Sequence, residues 1–339
     1  MECPVKRSAS TLPFIFGCLV YAQLPDTFPR AITQVTEHLY RAQAGAAYSV
    51  FLVTPEGILL ADPISTEYAG WLKAEIQKRF GLPVRYVIYS HHHWDHASGG
   101  TVFADTAQFV GHKAMPHLLK LPPPDTPLPP SAAGLDANRD SKIDPVEARD
   151  LLKALFPLYD ADGDGMLNGA EVVRGPLNDV RPPDLVYSDR KTISLGGKTV
   201  ELIYMGPTEA EDQTLLRFPE ERAVYFVDFI SLRRVPYRSL PGYDLEDLFA
   251  KIRAVEALDF DIAMGGHGSV GNKADVTAFR NYLEELRNAV ARGIAAGKSL
   301  ADLQKEITMG AYRHWENYVA WRAENVAGMF ALLRARPRR

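Results

Sequence analysis

At 339 residues the chain has room for one large α/β domain with an insertion, or for two domains. It is 46% apolar and 24% charged, as globular proteins are, and its formal net charge of −4 leaves no basic excess for a nucleic-acid partner. Beyond the N-terminus no apolar run reaches membrane-spanning length.

Lys6 and Arg7 precede a mostly apolar stretch from Thr11 to Tyr21, and Val20-Tyr21-Ala22 offers a small residue before a cut. Residues 1–22 are read as an export signal, which places the mature protein in the periplasm or outside the cell. A lipid-attachment site at Ile15-Phe16-Gly17-Cys18 competes with this, although Phe16 is bulky for it. A buried first element is a third reading. Cys3 and Cys18 both fall in this segment, so the mature chain has neither a disulfide nor a thiolate ligand. Any metal must be held by His, Asp and Glu.

Strand patterning covers Ile32–Val35, Ala47–Val53 and Gly57–Asp62, with a turn at Thr54-Pro55-Glu56-Gly57. A helix with an apolar face follows at 66–80, stopped by Gly81 and Pro83. Val84 to Tyr89 reads as a buried strand, and Ser90-His91-His92-His93-Trp94-Asp95-His96 begins at its C-terminal end. Ligand and catalytic groups sit at that end of strands in layered α/β folds. The spacing lets His91 and His93 reach one metal while Asp95 and His96 reach a second. An incidental histidine patch is disfavoured by the internal position and the built-in Asp95. Trp94 lines the mouth of the site or packs in the core.

Composition then changes. Leu121 to Pro130 is a stiff proline-rich linker, and an acidic segment runs to about 180, closed by Pro182-Pro183. Within it, Asp160, Asp162, Asp164, Met166, Asn168 and Glu171 stand at the oxygen-donor positions of a twelve-residue loop, with Gly165 at its sharp turn. This matches the EF-hand calcium loop. A second copy upstream has Asp136, Asn138, Asp140, Lys142, Asp144 and Glu147 at those positions but Ser141 where glycine is wanted. One or two calcium ions are therefore expected. Ile143 and Leu167 are placed to pair in a short β-contact, and one helix near 146–158 must serve both loops. A structural role for calcium is the simpler reading, since a small acidic module has little core; regulation is the sharper alternative.

Strand signals resume at 192–205, 214–218 and 223–228, and helices are expected at 244–257, 272–304 and 310–335. Arg233 and Arg234 are candidates to bind an anionic substrate group, or else a solvated charge pair. Trp315, Tyr318, Trp321, Val326 and Met329 form a core-covering face, with an apolar channel or a homodimer contact as alternatives. His38, His112, His117 and His314 lack ligand spacing.

The His-x-His-x-Asp-His run resembles the signature of the metallo-β-lactamase superfamily. Its opening strands to Asp62, Val227-Asp228 after a strand, and Gly265-Gly266-His267-Gly268 are similar to further elements of that family. The resemblance implies a four-layer αβ/βα sandwich over 23–120 and 184–339, with the EF-hand pair inserted over 121–183. It implies His267 as a ligand of the second metal, Asp228 as a bridging carboxylate, and Asp62 as a residue that orients ligands. One departure matters. The family's Gly-Pro-x-His-Thr turn reads here Gly206-Pro207-Thr208-Glu209-Ala210. Either a ligand is lost, or Glu209 replaces the histidine, as in the alkyl sulfatase branch, where the bridging acid follows after the same interval.

The implied set is His91, His93 and Glu209 on one ion, Asp95, His96 and His267 on the other, and Asp228 between them. Zinc is the first choice, with manganese or iron as alternatives for so carboxylate-rich a set. Such a pair activates a bridging water as hydroxide, and Asp95 orients it and takes its proton. The expected activity is hydrolysis of a small-molecule sulfate, phosphate or carboxylic ester, or a lactone. A β-lactam hydrolase, an iron-dependent oxidoreductase on the same fold and a non-catalytic calcium-binding protein are the competing functions.

Overall fold

Strands form where the apolar runs lie. β1 (Arg30–Gln34), β2 (Leu39–Ala44), β3 (Ala47–Thr54) and β4 (Gly57–Ala61) make an antiparallel meander. The computed structural model describes residues 29–240 and 244–335, so the export segment expected over 1–22, with Cys3 and Cys18, lies outside the described residues. Every residue of β4 is buried, as its unbroken Ile58-Leu59-Leu60-Ala61 run requires. α1 (Thr66–Phe80) is capped by Ser65, whose side chain accepts from Tyr68 N, and stops at Gly81 with φ 65°. The chain then crosses into β5 (Val84–Ile88), parallel to β4, and continues through α2 (Trp94–Ala97), β6 (Gln108–His112) and α3 (Met115–Leu118). With β7 (Leu185–Tyr187) these strands form a seven-stranded sheet in sequential order β1 to β7.

Residues 120–178 form a separate compact unit. It holds α4 (Pro130–Ala133), α5 (Asp150–Ala154), α6 (Phe156–Tyr159) and α7 (Gly169–Arg174). Ile143 and Leu167 exchange backbone hydrogen bonds of 2.9 and 2.8 Å across an antiparallel bridge. Ser141 takes φ 67° where Gly165 takes φ 80°, so the serine carries the strain that its position demands. The single helix expected near 146–158 is instead two short ones. Asp150 enters α5 at φ 48°, and Pro157 has no N–H to continue the ladder between α5 and α6.

The second unit resumes at Asp179. β8 (Arg190–Leu195) and β9 (Lys198–Tyr204) are a hairpin about Gly196-Gly197, so the 192–205 signal is two strands. β10 (Thr214–Phe218), β11 (Ala223–Phe226), β12 (Ile262–Gly265) and β13 (Val270–Gly271) complete a six-stranded sheet of order β13-β12-β11-β10-β9-β8. α8 (Leu245–Glu256), α9 (Lys273–Ala295), α10 (Leu300–Glu306) and α11 (Tyr318–Arg334) supply the helices. The expected 272–304 helix breaks at Gly297, φ 70°, before Ser299 caps α10.

One buried cluster joins Leu52, Leu59, Ile88 and Val110 of the first sheet to Leu202, Leu216, Tyr225 and Met264 of the second. A second cluster joins the other face of the second sheet to α8, α9 and α11. Phe80 of α1 packs edge-on against Phe51 and Tyr40 of the first sheet. The layers are thus helix, sheet, sheet, helix. The expected core face of the C-terminal helices is found here, with Trp315, Trp321, Val326 and Met329 all buried. No helix among the described residues is long and apolar enough to cross a membrane.

Gly99 closes α2 against the start of α1. Its φ is 81°, and a Cβ there would lie 2.2 Å from the Ser65 carbonyl carbon. Both the close approach and the left-handed backbone require glycine. Gly99→Ala should destabilise the protein by about 1–3 kcal/mol, seen as a lower urea midpoint; an unchanged midpoint would contradict this packing.

Candidate metal centre

Asp62 ends β4 and is fully buried. Its Oδ1 accepts from Ser90 N at 2.8 Å and its Oδ2 from the Tyr225 hydroxyl at 2.9 Å. That pins the end of β5, where the histidine run begins, to β4 and β11. Asp62 Oδ2 also faces His96 Nδ1 at 3.8 Å. No hydrogen bond joins the two at this distance, so what Asp62 holds directly is Ser90 and Tyr225 rather than His96. Residues 93–97 turn into α2 through bonds from His96 N and Ala97 N to His93 O, and Ile64 N donates to His96 O at 2.9 Å. Trp94 is buried in the packing.

The other donors arrive from three later segments. Glu209 sits in the turn between β9 and β10. Asp228 follows β11 with φ 65°, a conformation that costs a non-glycine residue about 1–3 kcal/mol and is found where a site demands it. His267 follows β12, and its Nδ1 is bonded to Ala46 O at 2.9 Å, which leaves Nε2 facing the cluster. Its loop is held by Tyr48 N on Gly266 O at 2.9 Å and by Arg41, which donates to Gly265 O and Gly268 O at 2.9 and 2.7 Å. Gly266 must lack a side chain, because a Cβ would come within 2.7 Å of Val227 and 3.0 Å of His96.

Two groups result. His91, His93, Glu209 and Asp228 offer donor atoms within 4.8 Å of one another, and so do Asp95, His96 and His267. His93 Nδ1 is 3.3 Å from Glu209 Oε2, and His91 Nε2 is 3.3 Å from Asp228 Oδ2 and 4.0 Å from Glu209 Oε2. In the second group His96 and His267 Nε2 lie 3.7 and 3.8 Å from Asp95 Oδ2. Asp228 faces both groups, with Oδ2 also 3.8 Å from His96 and Oδ1 3.4 Å from His267. A tetrahedral zinc site with bonds of about 2.0–2.2 Å separates its donors by roughly 3.3–3.6 Å. The 3.3 and 3.4 Å spacings fall in that range, and those of 3.7–4.0 Å lie just above it.

Electrostatics agree. Burial, then the charge of Asp228, pushes both Glu209 and Asp95 above the ordinary carboxylate range. Burial opposes ionisation of Asp228 too, but His96, His91 and His267 outweigh it and hold that carboxyl well below its usual range. Burial lowers His93 and His96, and takes His267 down to about 4. Burial works against protonated His91 as well, yet Asp228 and Glu209 lift it to about 10. Crowded carboxylates, with His93, His96 and His267 pressed toward neutrality, suit a cation that would take the place of the proton on His91. His91 Nε2, Asp95 Oδ1 and Glu209 Oε2 are buried without a hydrogen-bond partner, so the donor set fits divalent metal.

The other expected site residues divide. Arg233 is half exposed and pairs with Asp275 in a fork of 2.8 and 3.0 Å. Arg234 is buried, stacks 4.8 Å over Trp321, and its charge depresses both His267 and His96. In the separate unit, Asp160, Asp162 and Glu171 gather donor atoms within 4.8 Å, whereas Asp164 is paired with Lys142 Nζ at 2.8 Å. Asn168 caps α7. In the upstream loop Asp136 accepts from Asp140 N and Ser141 N, and Glu147 from Ala137 N and Asn138 N. Met166 N and Lys142 N bind the Asp164 and Asp140 carboxylates, and Asp144 accepts from Glu147 N. His112 stacks on Tyr204 at 3.9 Å, a packing role.

Sequence reasoning missed Tyr225, Arg41, and a bond of 2.8 Å between His92 Nδ1 and Asp212 Oδ1.

The family model of the metallo-beta-lactamase superfamily matches residues 43–267. The α subunit of 2,4-dinitroanisole O-demethylase from Nocardioides sp. (strain JS1661) is 25% identical over 186 residues, 55% of this chain and 40% of that protein. Among solved structures, the stereoselective inverting sec-alkylsulfatase Pisa1 from Pseudomonas sp. superposes with a TM-score of 0.62 at 14% identity, over 89% of this chain and 50% of that one. A metallo-beta-lactamase from Pontibacter korlensis gives a TM-score of 0.50 at 14% identity, covering 74% of this chain and 96% of its own. The chain thus spans half or less of the length of the first two proteins. With two facing sheets, two clusters of metal-capable side chains and a family match across most of its length, the chain belongs to the metallo-beta-lactamase superfamily.

Proposed function

We propose that the chain is a binuclear metal-dependent hydrolase of ester-like bonds: sulfate, phosphate or carboxylic esters, or lactones. The observation that carries this is the convergence of seven donor residues in two groups, with Asp228 facing both. His91, His93 and Glu209 would hold one ion, Asp95, His96 and His267 the other, and Asp228 both. Zinc is the first choice for this set of four imidazoles and three carboxylates, with manganese or iron as alternatives. Bound there, the ions supply an activated water and polarise the electrophilic centre.

The chain's own groups do the rest. Asp95 Oδ1, buried and unpartnered, holds the attacking water and takes its proton. Arg234, whose buried Nε makes no hydrogen bond and lies 3.9 Å from Glu316 Oε1, binds the anionic group of the substrate. An alkyl sulfate ester is favoured within the range, because the fold likeness to a sec-alkylsulfatase accompanies the glutamate at 209. The O-demethylase relative supports a second reading, cleavage of an aryl methyl ether, so 2,4-dinitroanisole belongs in the substrate screen beside chromogenic sulfates, phosphates, carboxylic esters and β-lactams.

We propose also that the Asp160–Glu171 loop, and more weakly the Asp136–Glu147 loop, bind calcium as structural ions.

Glu209→Ala should remove one transition-metal ion per chain and abolish hydrolysis, measured by elemental analysis and turnover; full activity would refute the ligand assignment. Glu171→Ala should lower the melting temperature in calcium and reduce its sensitivity to EGTA, while turnover of intact protein persists. A melting temperature indifferent to calcium in the parent chain would remove the calcium proposal. Arg234→Ala should raise KM about 10- to 100-fold for anionic esters and spare neutral ones; an equal loss on both would assign it a packing role.

A further inference from the structure

Asp212 lies three residues beyond Glu209 and takes no part in the chemistry proposed above. It is buried, and its negative charge adds to the crowding that pushes Glu209 upward. A buried carboxylate beside other carboxylates is unfavourable unless it makes a bond worth more than the repulsion. That bond is to His92, the one histidine of the 91–93 run outside both donor groups.

The turn that carries Glu209 is closed at its base by Met205 N on Gln213 O at 2.9 Å and by the Tyr204 hydroxyl on Glu211 O at 2.9 Å. Within it, Thr208 N reaches Gly206 O at 2.9 Å, and Gln213 N reaches Ala210 O at 3.4 Å. Further ties run outward from three consecutive residues. Asp212 Oδ1 meets His92 Nδ1 at 2.8 Å, and Thr214 N donates to Ser90 O at 2.7 Å. Gln213 Nε2 donates to Val227 O at 3.1 Å, next to Asp228. Residues 212–214 therefore bolt the Glu209 turn to the two segments that present His91, His93 and Asp228.

We propose that Asp212 is a positioning residue whose bond to His92 braces the Glu209 turn against the histidine loop and keeps Glu209 opposite His91 and His93. The geometry explains why the middle position of the run is a histidine: a ring in this place reaches across to the turn without entering the donor cluster. Gln213 and Thr214 hold the base of the turn to Val227, Ser90, Met205 and Tyr187, and Asp212 adds the ionic contact between the turn and His92. The inference rests on the reading of Glu209 as a metal ligand.

The test uses the full chain and four variants, each loaded with Co(II) alone. Ions retained per chain after dialysis against a weak chelator are counted, and the visible absorption of the bound cobalt is recorded. Asp212→Ala and His92→Ala should each weaken one of the two ions about 10- to 100-fold and shift the cobalt bands in the same direction as Glu209→Ala. Asp212→Asn, which keeps an oxygen to accept from His92 Nδ1, should restore retention and spectrum. If Glu209→Ala loses an ion while Asp212→Ala and His92→Ala keep both with unchanged spectra, the bracing role is wrong. If Glu209→Ala itself keeps both ions, the ligand reading falls and the brace with it. Should Asp212→Ala fail to fold, His92→Ala decides, because it breaks the same bond from a ring only partly buried.

Discussion

Three carboxylates and four imidazoles, His91 and His96 buried and the rest partly buried, are gathered at one end of two facing sheets, and most local features around them serve that arrangement. Such a cluster is unstable by itself. Its carboxylates repel one another, burial penalises their charge, and three of the four imidazoles are pressed toward neutrality while His91 is held protonated by Asp228 and Glu209. The surrounding fold has to hold the groups together until a cation offsets the cost. Asp62 does so from beneath, gripping Ser90 N and the Tyr225 hydroxyl. Arg41 does so at the His267 loop, and Asp228 stays in a left-handed conformation to turn its oxygens toward both groups.

The scaffold makes this affordable through ordinary packing. A dry layer between the sheets fixes the strands, and the donors leave from strand ends where short loops need few residues of their own. Close approaches are absorbed by glycine at 99 and 266, so α2 and the His267 loop can settle against their neighbours. The acidic unit over 120–178 has its own small set of contacts around the Ile143–Leu167 bridge. Its carboxylates are tied to nearby backbone N–H groups, with Lys142 on Asp164 the clearest internal ion pair.

Much of the centre was legible from residues 91–96 because its information is local: spacing alone separates two pairs of donors. Glu209, Asp228 and His267 came from resemblance, and the structure brings all three to the same place. What escaped was information that exists only after folding. No periodicity links Asp212 to His92, or Arg41 to the carbonyls of 265 and 268; these pairs are made by topology. Helix extents were overread for a different reason. Apolar periodicity survives a break, so the stretches 146–158 and 272–304 look continuous although Pro157 and Gly297 interrupt them. Arg233 and Arg234 show the limit of adjacency, since one turns to Asp275 and its neighbour packs beside the histidines.

The central claim is that this buried cluster exists to hold two ions. The most direct measurement is a calorimetric titration of chelator-stripped protein with zinc. Two tight equivalents per chain, with protons released as the buried acids and imidazoles give way to metal, are predicted. A chain that binds no zinc, or binds it only weakly, would contradict the account.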